Sequence, residues 1–181
     1  MDKIILEIPS DKRECEALEY RKDFKDVNSS LAGDSGLGDS ENYKEWVRQK
    51  QDWSKELNLP DGFVPATTYF VIREVDDRIV GMIDLRHHLN DYLKDRWMGH
   101  IGYAVRPGER RKGYATEMLR LALKEYKKRG IYSVIVGCDE DNIGSKKIIL
   151  KCGGKLVDRS EYGGKMHLGF EIELGDIKRK T

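Results

Sequence analysis

The run Arg110-Arg111-Lys112-Gly113-Tyr114-Ala115 carries the strongest chemical signal in the sequence. It follows the spacing Arg-x-x-Gly-x-Ala and opens directly into a helical pattern. A helix start offers unpaired backbone N–H groups and a partial positive charge, so such a turn suits a diphosphate. Gly113 permits a positive φ or a close approach of ligand to backbone, and Ala115 keeps a second approach open. Three adjacent cations add charge complementarity. A basic triplet alone is usually a solvated surface; the strand before this one and the amphipathic helix after it make the pattern specific.

The remaining candidates are weaker. His87 and His88 are adjacent on a strand-like segment and so point to opposite faces, which excludes joint chelation, and His167 has no partner at ligand spacing. No metal is expected. Cys15, Cys138 and Cys152 are odd in number and form no CxxC pair, which argues against a disulfide framework or a zinc knuckle and for reduced, mostly buried thiols. Gly33 to Gly38 reads GDSGLG, but its spacing is not GxGxxG and it follows a helix where a nucleotide fingerprint needs a strand.

The elements that position the turn are readable. A strand (Gly99 to Arg106), the turn (Pro107 to Lys112), a helix (Gly113 to Arg129), Gly130 and a strand (Ile131 to Cys138) make the crossover that parallel neighbours need. Ala115, Met118, Leu119, Ala122 and Tyr126 share one helix face, and Gly130 sits where a left-handed cap ends a helix. A shorter helix from Asn142 to Cys152 and two strands around Tyr162-Gly163-Gly164 follow. Upstream lie a short strand (Ile4 to Ile8), a helix (Asp11 to Val27) and a loop rich in Gly, Ser and Asp (Ser29 to Ser40). The spacing of Tyr43, Trp46, Val47, Trp53 and Leu57 predicts a second helix with those residues on its core face. After the breaker Leu59 to Gly62, Thr67 to Val75 and Arg78 to Leu85 form a hairpin around Asp76-Asp77, and a polar segment from His88 to Arg96 interrupts the strands before Met98 to Arg106 resumes them.

With 181 residues, 39% hydrophobic and 36% charged, the chain has the size of one domain, residues 1–181, with a core that needs no disulfide or structural metal. The formal charge of +1 gives no global field toward nucleic acid or an anionic membrane. Met1 to Ile8 is too short an apolar run for a signal peptide and no run of about eighteen apolar residues occurs, so the expected location is cytoplasmic. Lys178 to Lys180 read as a frayed end.

From about Thr67 to Leu174 the sequence resembles the GNAT superfamily of acetyl-CoA-dependent N-acetyltransferases: the Arg-x-x-Gly-x-Ala turn is followed by Asn142 on the loop after the next strand, Ser145 three positions on, and a helix ending in Cys152-Gly153-Gly154. For residues 1–60 the resemblance rests only on the order helix, loop, helix. Gly62-Phe63-Val64-Pro65 and Gly99-His100-Ile101-Gly102-Tyr103 resemble one branch of predicted acetyltransferases. The resemblance implies an α/β fold with a mixed, mostly antiparallel central sheet, splayed at its fourth and fifth strands and flanked by helices. It implies acetyl-CoA as co-substrate: its pantetheine arm would enter the splay and bond the backbone of Tyr103, Ala104 and Val105. The diphosphate would be wrapped by the N–H groups from Arg111 to Ala115, with Arg110 beside them. Asn142 and Ser145 would touch the arm, although Asn142 reads equally as a helix cap.

An amine acceptor must be neutral to attack, and stripping an ammonium of pKa near 10.4 at pH 7 costs about 4 to 5 kcal/mol. Where many relatives place a Glu on the fourth strand, this sequence has His100, suited by its pKa to accept a proton or, alternatively, a packed strand residue. Where many carry a Tyr that protonates the leaving thiolate, counting from Asn142 gives Ile149, which donates nothing; Tyr162 is a substitute or simply a turn residue. The implied activity is acetyl transfer to a primary amine of a small-molecule or peptide acceptor by direct attack in a ternary complex, and the alternative is a non-catalytic acyl-CoA-binding or sensing module. By the same analogy the acceptor wall comes from the Ser29 to Ser40 loop and the helix after it, the segment from Asp84 to Arg96 and the last hairpin near Tyr162. A homodimer is compatible with the sequence but not specified by it, and neither is acyl-chain preference.

Overall fold

The chain builds two antiparallel sheets in the computed structural model, which describes residues 2–95 and 98–175. Strands β1 (Ile4–Glu7), β2 (Ala66–Arg73), β3 (Arg78–Arg86) and β4 (Ile101–Val105) form one sheet in that order. In the second, β7 (Lys165–Glu173) lies between β5 (Ser133–Asp139) and β6 (Lys155–Tyr162). The helices are α1 (Glu14–Asp26), α2 (Tyr43–Trp53), the short α3 (Asp91–Lys94), α4 (Tyr114–Lys128) and α5 (Ile143–Lys151).

Each face of the first sheet buries against its own helices because successive side chains alternate. Phe70, Ile72, Ile79, Met82 and Ala104 pack with Ala17, Tyr20 and Phe24 of α1 and with Trp46 and Val47 of α2. On the other face Val71, Ile83, Leu85, Ile101 and Val105 pack with Met118, Leu119, Ala122 and Tyr126 of α4 and with Ile149 of α5, and that core continues into Val134, Val136, Leu168 and Phe170 of the second sheet. Helix α4 thus underlies both sheets. Asn42 caps α2 by accepting from the Glu45 N–H at 3.1 Å, which satisfies one of the orphan donors of its first turn.

The α4 crossover brings β5 beside β4, yet no ladder joins them. They touch at one end, where the His100 N–H donates to the Ile135 carbonyl at 2.7 Å, and the Ile135 N–H donates back to His100 Nδ1 at 2.9 Å. Beyond that joint the strands stand apart. The result is the α/β architecture implied above, with antiparallel sheets, flanking helices and a splay between the fourth and fifth strands.

Several boundaries differ from the sequence reading. Strand β4 starts at Ile101, so His100 precedes it, and Gly113 is the N-cap of α4 rather than its first turn. Leu57 lies beyond α2 and is 52% exposed, because the chain turns after Trp53. Val75 falls outside β2. Arg96, at the end of the polar segment, and Lys178 to Lys180 lie outside the described residues.

Candidate active site

The splay is a cleft of about 740 Å³. Its walls are Gly102 to Val105 on β4, Gly137 to Asp139 on β5, the turn before α4, Asn142 and Ser145 at the start of α5, and Ser29, Ser30 and Ala32 of the loop after α1. That loop is seated by two glycines. Gly33 has φ +73°, and a Cβ there would drive into the Gly102 backbone carbonyl, so loop and strand approach as only glycines allow.

Strand β4 presents a free edge to the cleft. The Arg86 N–H donates to the His100 carbonyl and the Arg106 N–H to that of Val80, so even-numbered residues pair with β3. The N–H and C=O groups of Tyr103 and Val105 therefore face β5, whereas those of Ala104 face β3, where its carbonyl also accepts from the Tyr20 hydroxyl at 3.2 Å. Of the three residues expected to bond a pantetheine arm through the backbone, Tyr103 and Val105 have the groups free on that edge, and the Val105 carbonyl already accepts from Arg110 Nε at 3.2 Å.

At the cleft mouth the backbone reverses twice, with Arg111 at φ +63° and Gly113 at φ +90°. The amide N–H groups of residues 111–115 donate to no described group, which makes a nest of donors at the positive end of α4. An anion, not a side chain, fits there. The three cations are not equivalent. Arg110 spans the mouth, bonding Ser29 Oγ at 2.8 Å with its guanidinium over the Phe24 ring. Lys112 is tied back to Glu109 at 2.8 Å, which also holds Arg73 at 2.8 Å. Burial pushes the Glu109 carboxyl up, but Lys112 and Arg73 outweigh it and hold it below its ordinary value. Arg111 has no hydrogen bond or ion pair among the described residues. Tyr114 is buried, its hydroxyl donating to Asp2 and accepting from Arg73, while Ala115 lines the cleft.

Deeper in, the Tyr103 hydroxyl and Ser145 Oγ are 2.8 Å apart, beside Cys138. Burial raises Tyr103 to about 12 against the opposing effect of Ser145, and burial raises the Cys138 thiol as well. Asn142 does cap α5, accepting from the Ser145 N–H at 3.0 Å, and still lines the cleft. Ile149 is fully buried in the α4 core.

His100 is not among the residues that line the cleft. Its Nδ1 is engaged by Ile135, its ring meets Tyr126 edge-on, and burial pushes its pKa down to about 4, leaving Nε2 as the ring nitrogen without a described partner. His87 shares a hydrogen bond with Thr67 and is likewise lowered to about 4 by burial, with Arg129 and His88 adding to the effect. His167 pairs with Asp139 at the cleft edge, 3.0 Å, a contact sequence spacing did not reveal. Tyr162 is 45% exposed and lies against His167, outside the cleft lining. Among the described residues no group of three or more His, Cys, Asp or Glu is placed to hold a metal ion.

Residues 36–153 match the family model described as acetyltransferase (GNAT) family. Among solved structures, the ribosomal-protein-S5-alanine acetyltransferase from Vibrio fischeri superposes with a TM-score of 0.72 at 15% identity, covering 98% of this chain and 97% of that one. RimL, a ribosomal L7/L12 alpha-N-protein acetyltransferase in complex with coenzyme A, gives 0.70 at 15% identity with 94% of each chain covered. The microcin C7 self-immunity acetyltransferase MccE, in complex with acetyl-CoA and AMP, gives 0.69 at 19% identity, covering 96% and 93%. At such identities the likeness is one of fold. A search of curated proteins finds no match.

Proposed function

Because the chain belongs to the acetyltransferase (GNAT) family, we propose that it transfers an acetyl group from acetyl-CoA to a primary amine by direct attack in a ternary complex. The observation that carries this reading is the nest of free amides at residues 111–115 opening onto the free edge of β4 inside one cleft. The donor set matches the ligand's chemistry: amides and a helix terminus for a diphosphate, and a strand edge for the amide groups of the arm.

When bound, acetyl-CoA supplies the acetyl group as a thioester. Residues 111–115 would hold the diphosphate, Arg111 would add charge, and Tyr103 and Val105 would pair with the arm through their backbone. Asn142 and Ser145 bound the arm from α5. In the transfer the new C–N bond would form as the C–S bond breaks, the amine's proton would pass to solvent water and the sulfur would leave as a thiolate. The Tyr103 hydroxyl, backed by Ser145, is a donor available to that thiolate in the cleft. At a pKa of about 12 it remains protonated at neutral pH and stabilises the charge by a hydrogen bond rather than by surrendering its proton. His100 joins β4 to β5 where the splay begins, and any proton it accepts must enter through Nε2.

The test is release of free coenzyme A from acetyl-CoA in the presence of an amine panel, with mass-spectrometric detection of the acetylated product. Amine-dependent release with a product heavier by one acetyl group is expected. Tight acetyl-CoA binding without turnover on any amine would replace this reading with a binding or sensing module, the role that burial of Ile149 in place of a donor favours.

A further inference from the structure

A second cavity, of about 320 Å³, adjoins β5, and Gly137 lines both it and the cleft. Val134 and Val136 point from β5 into the α4 core, so Ile135 and Gly137 face the opposite side of the sheet. The register then sets Gly137 beside Gly169 of β7 and Gly169 beside Asp158 of β6. The floor is thus a bare strip about 10 Å long, two strand spacings, running from the cleft to the Asp158 carboxylate. Leu89, Met98, Ile135 and Val157 flank it among the described residues.

Packing does not require the bare floor at Gly169. Its φ is ordinary, and an added Cβ would meet only the Asp158 Cβ, at 3.4 Å, a normal contact. Glycine within a strand is destabilising relative to alanine, so the fold gains nothing from it there, whereas an open groove does. Among the described residues the charged groups at the groove are Asp158, whose Oδ2 accepts from Ser160 at 3.2 Å, and Lys94, whose Nζ lies 3.4 Å from Asp91.

We infer that this groove receives the acceptor, and that the acceptor is a small primary amine on a compact apolar body, an arylalkyl- or alkylamine, with its nitrogen at Gly137. The inference rests on the reading of the cleft as the acetyl donor's site. Gly137, shared by the two linings, puts the amine next to that cleft. The apolar flanks select the body, and Asp158 accepts from a polar group at its far end. The same apolar lining disfavours the ammonium form, so the groove itself promotes the neutral nucleophile that transfer needs.

The experiment compares phenethylamine, tyramine and hexylamine with spermidine and with a tetrapeptide bearing a free N-terminal alanine, while calorimetry follows acetyl-CoA binding to the same protein. The apolar amines are expected to exceed spermidine and the peptide in kcat/KM by about ten- to two-hundred-fold, the range apolar pockets deliver. Gly169→Val, which fills the floor, and Val157→Lys, on the exposed rim, are each expected to raise KM for phenethylamine about tenfold or more while acetyl-CoA affinity stays unchanged. Preference for spermidine or the peptide, turnover of none of the amines, or unchanged KM in both folded variants would overturn the inference while acetyl-CoA still binds. Failure of acetyl-CoA to bind would overturn the underlying reading instead.

Discussion

In the proposed reaction the Tyr103 hydroxyl, backed by Ser145, would supply the donor that the sequence lacks at Ile149. Their contact spans 42 positions and exists only because the α4 crossover folds α5 over β4, so no local spacing announces it. Tyr103→Phe is expected to lower kcat roughly ten- to hundredfold with little change in acetyl-CoA affinity. The deficit shrinks when the substrate is an acetyl thioester of a more acidic thiol, a dependence that lost packing would not produce. Ser145→Ala, acting through Tyr103, costs less. His100 calls for a separate measurement. Its folded pKa lies near 4 against an ordinary 6.5, so the native state favours the neutral ring: its contribution to stability is complete above pH 6.5 and is lost as pH falls toward 4. The expected kcat/KM profile has no limb near pH 6.5 and rises toward the acceptor amine's own pKa. His100→Gln keeps that profile and shows a weaker loss of thermal stability from pH 7 to pH 5. A limb near neutrality that disappears in His100→Gln would make His100 the base.

At the scale of elements, the turn before α4 was legible because every requirement it meets is local: cations, a glycine, a small residue and a helix start in one run. What the run does not disclose is where its side chains go. Arg110 reaches Ser29 of the loop after α1, and Lys112 is held by Glu109, so Arg111 is left as the cation of the three with neither a hydrogen bond nor an ion pair among the described residues. The salt dependence of acetyl-CoA binding is therefore expected to be shallow. Arg111→Gly removes the charge and relieves a φ of +63°. It should weaken binding by about 0.5–1 kcal/mol, roughly two- to fivefold, at low ionic strength and by less at high ionic strength, as titrations at two salt concentrations would show. A loss of affinity that persists undiminished in high salt would assign Arg111 a buried contact. The loop from Ser29 to Ala32 was readable as a loop from its composition, but not as a wall of this cleft, since that role depends on Gly33 meeting Gly102 across the sheet.

On the scale of the whole molecule, two antiparallel sheets share one core through α4 and, among the described residues, are joined through the backbone by the reciprocal contact between His100 and Ile135. That arrangement holds the splay open without requiring ligand to wedge it, because β4 is fixed by β3 and β5 by β7. The crossover was legible as strand, turn, helix, strand; the width of the gap was not, as it follows from where pairing stops. The central claim is that this gap and the amides at its mouth hold acetyl-CoA. Isothermal titration of acetyl-CoA into wild-type protein and into Gly113→Val tests it most directly, with far-ultraviolet circular dichroism and a melting curve establishing that the variant is folded. A valine at φ +90° is strained and narrows the nest, so wild-type protein should bind with one site per chain and the folded variant should lose about tenfold or more in affinity. Equal affinity in the two folded proteins would contradict the account.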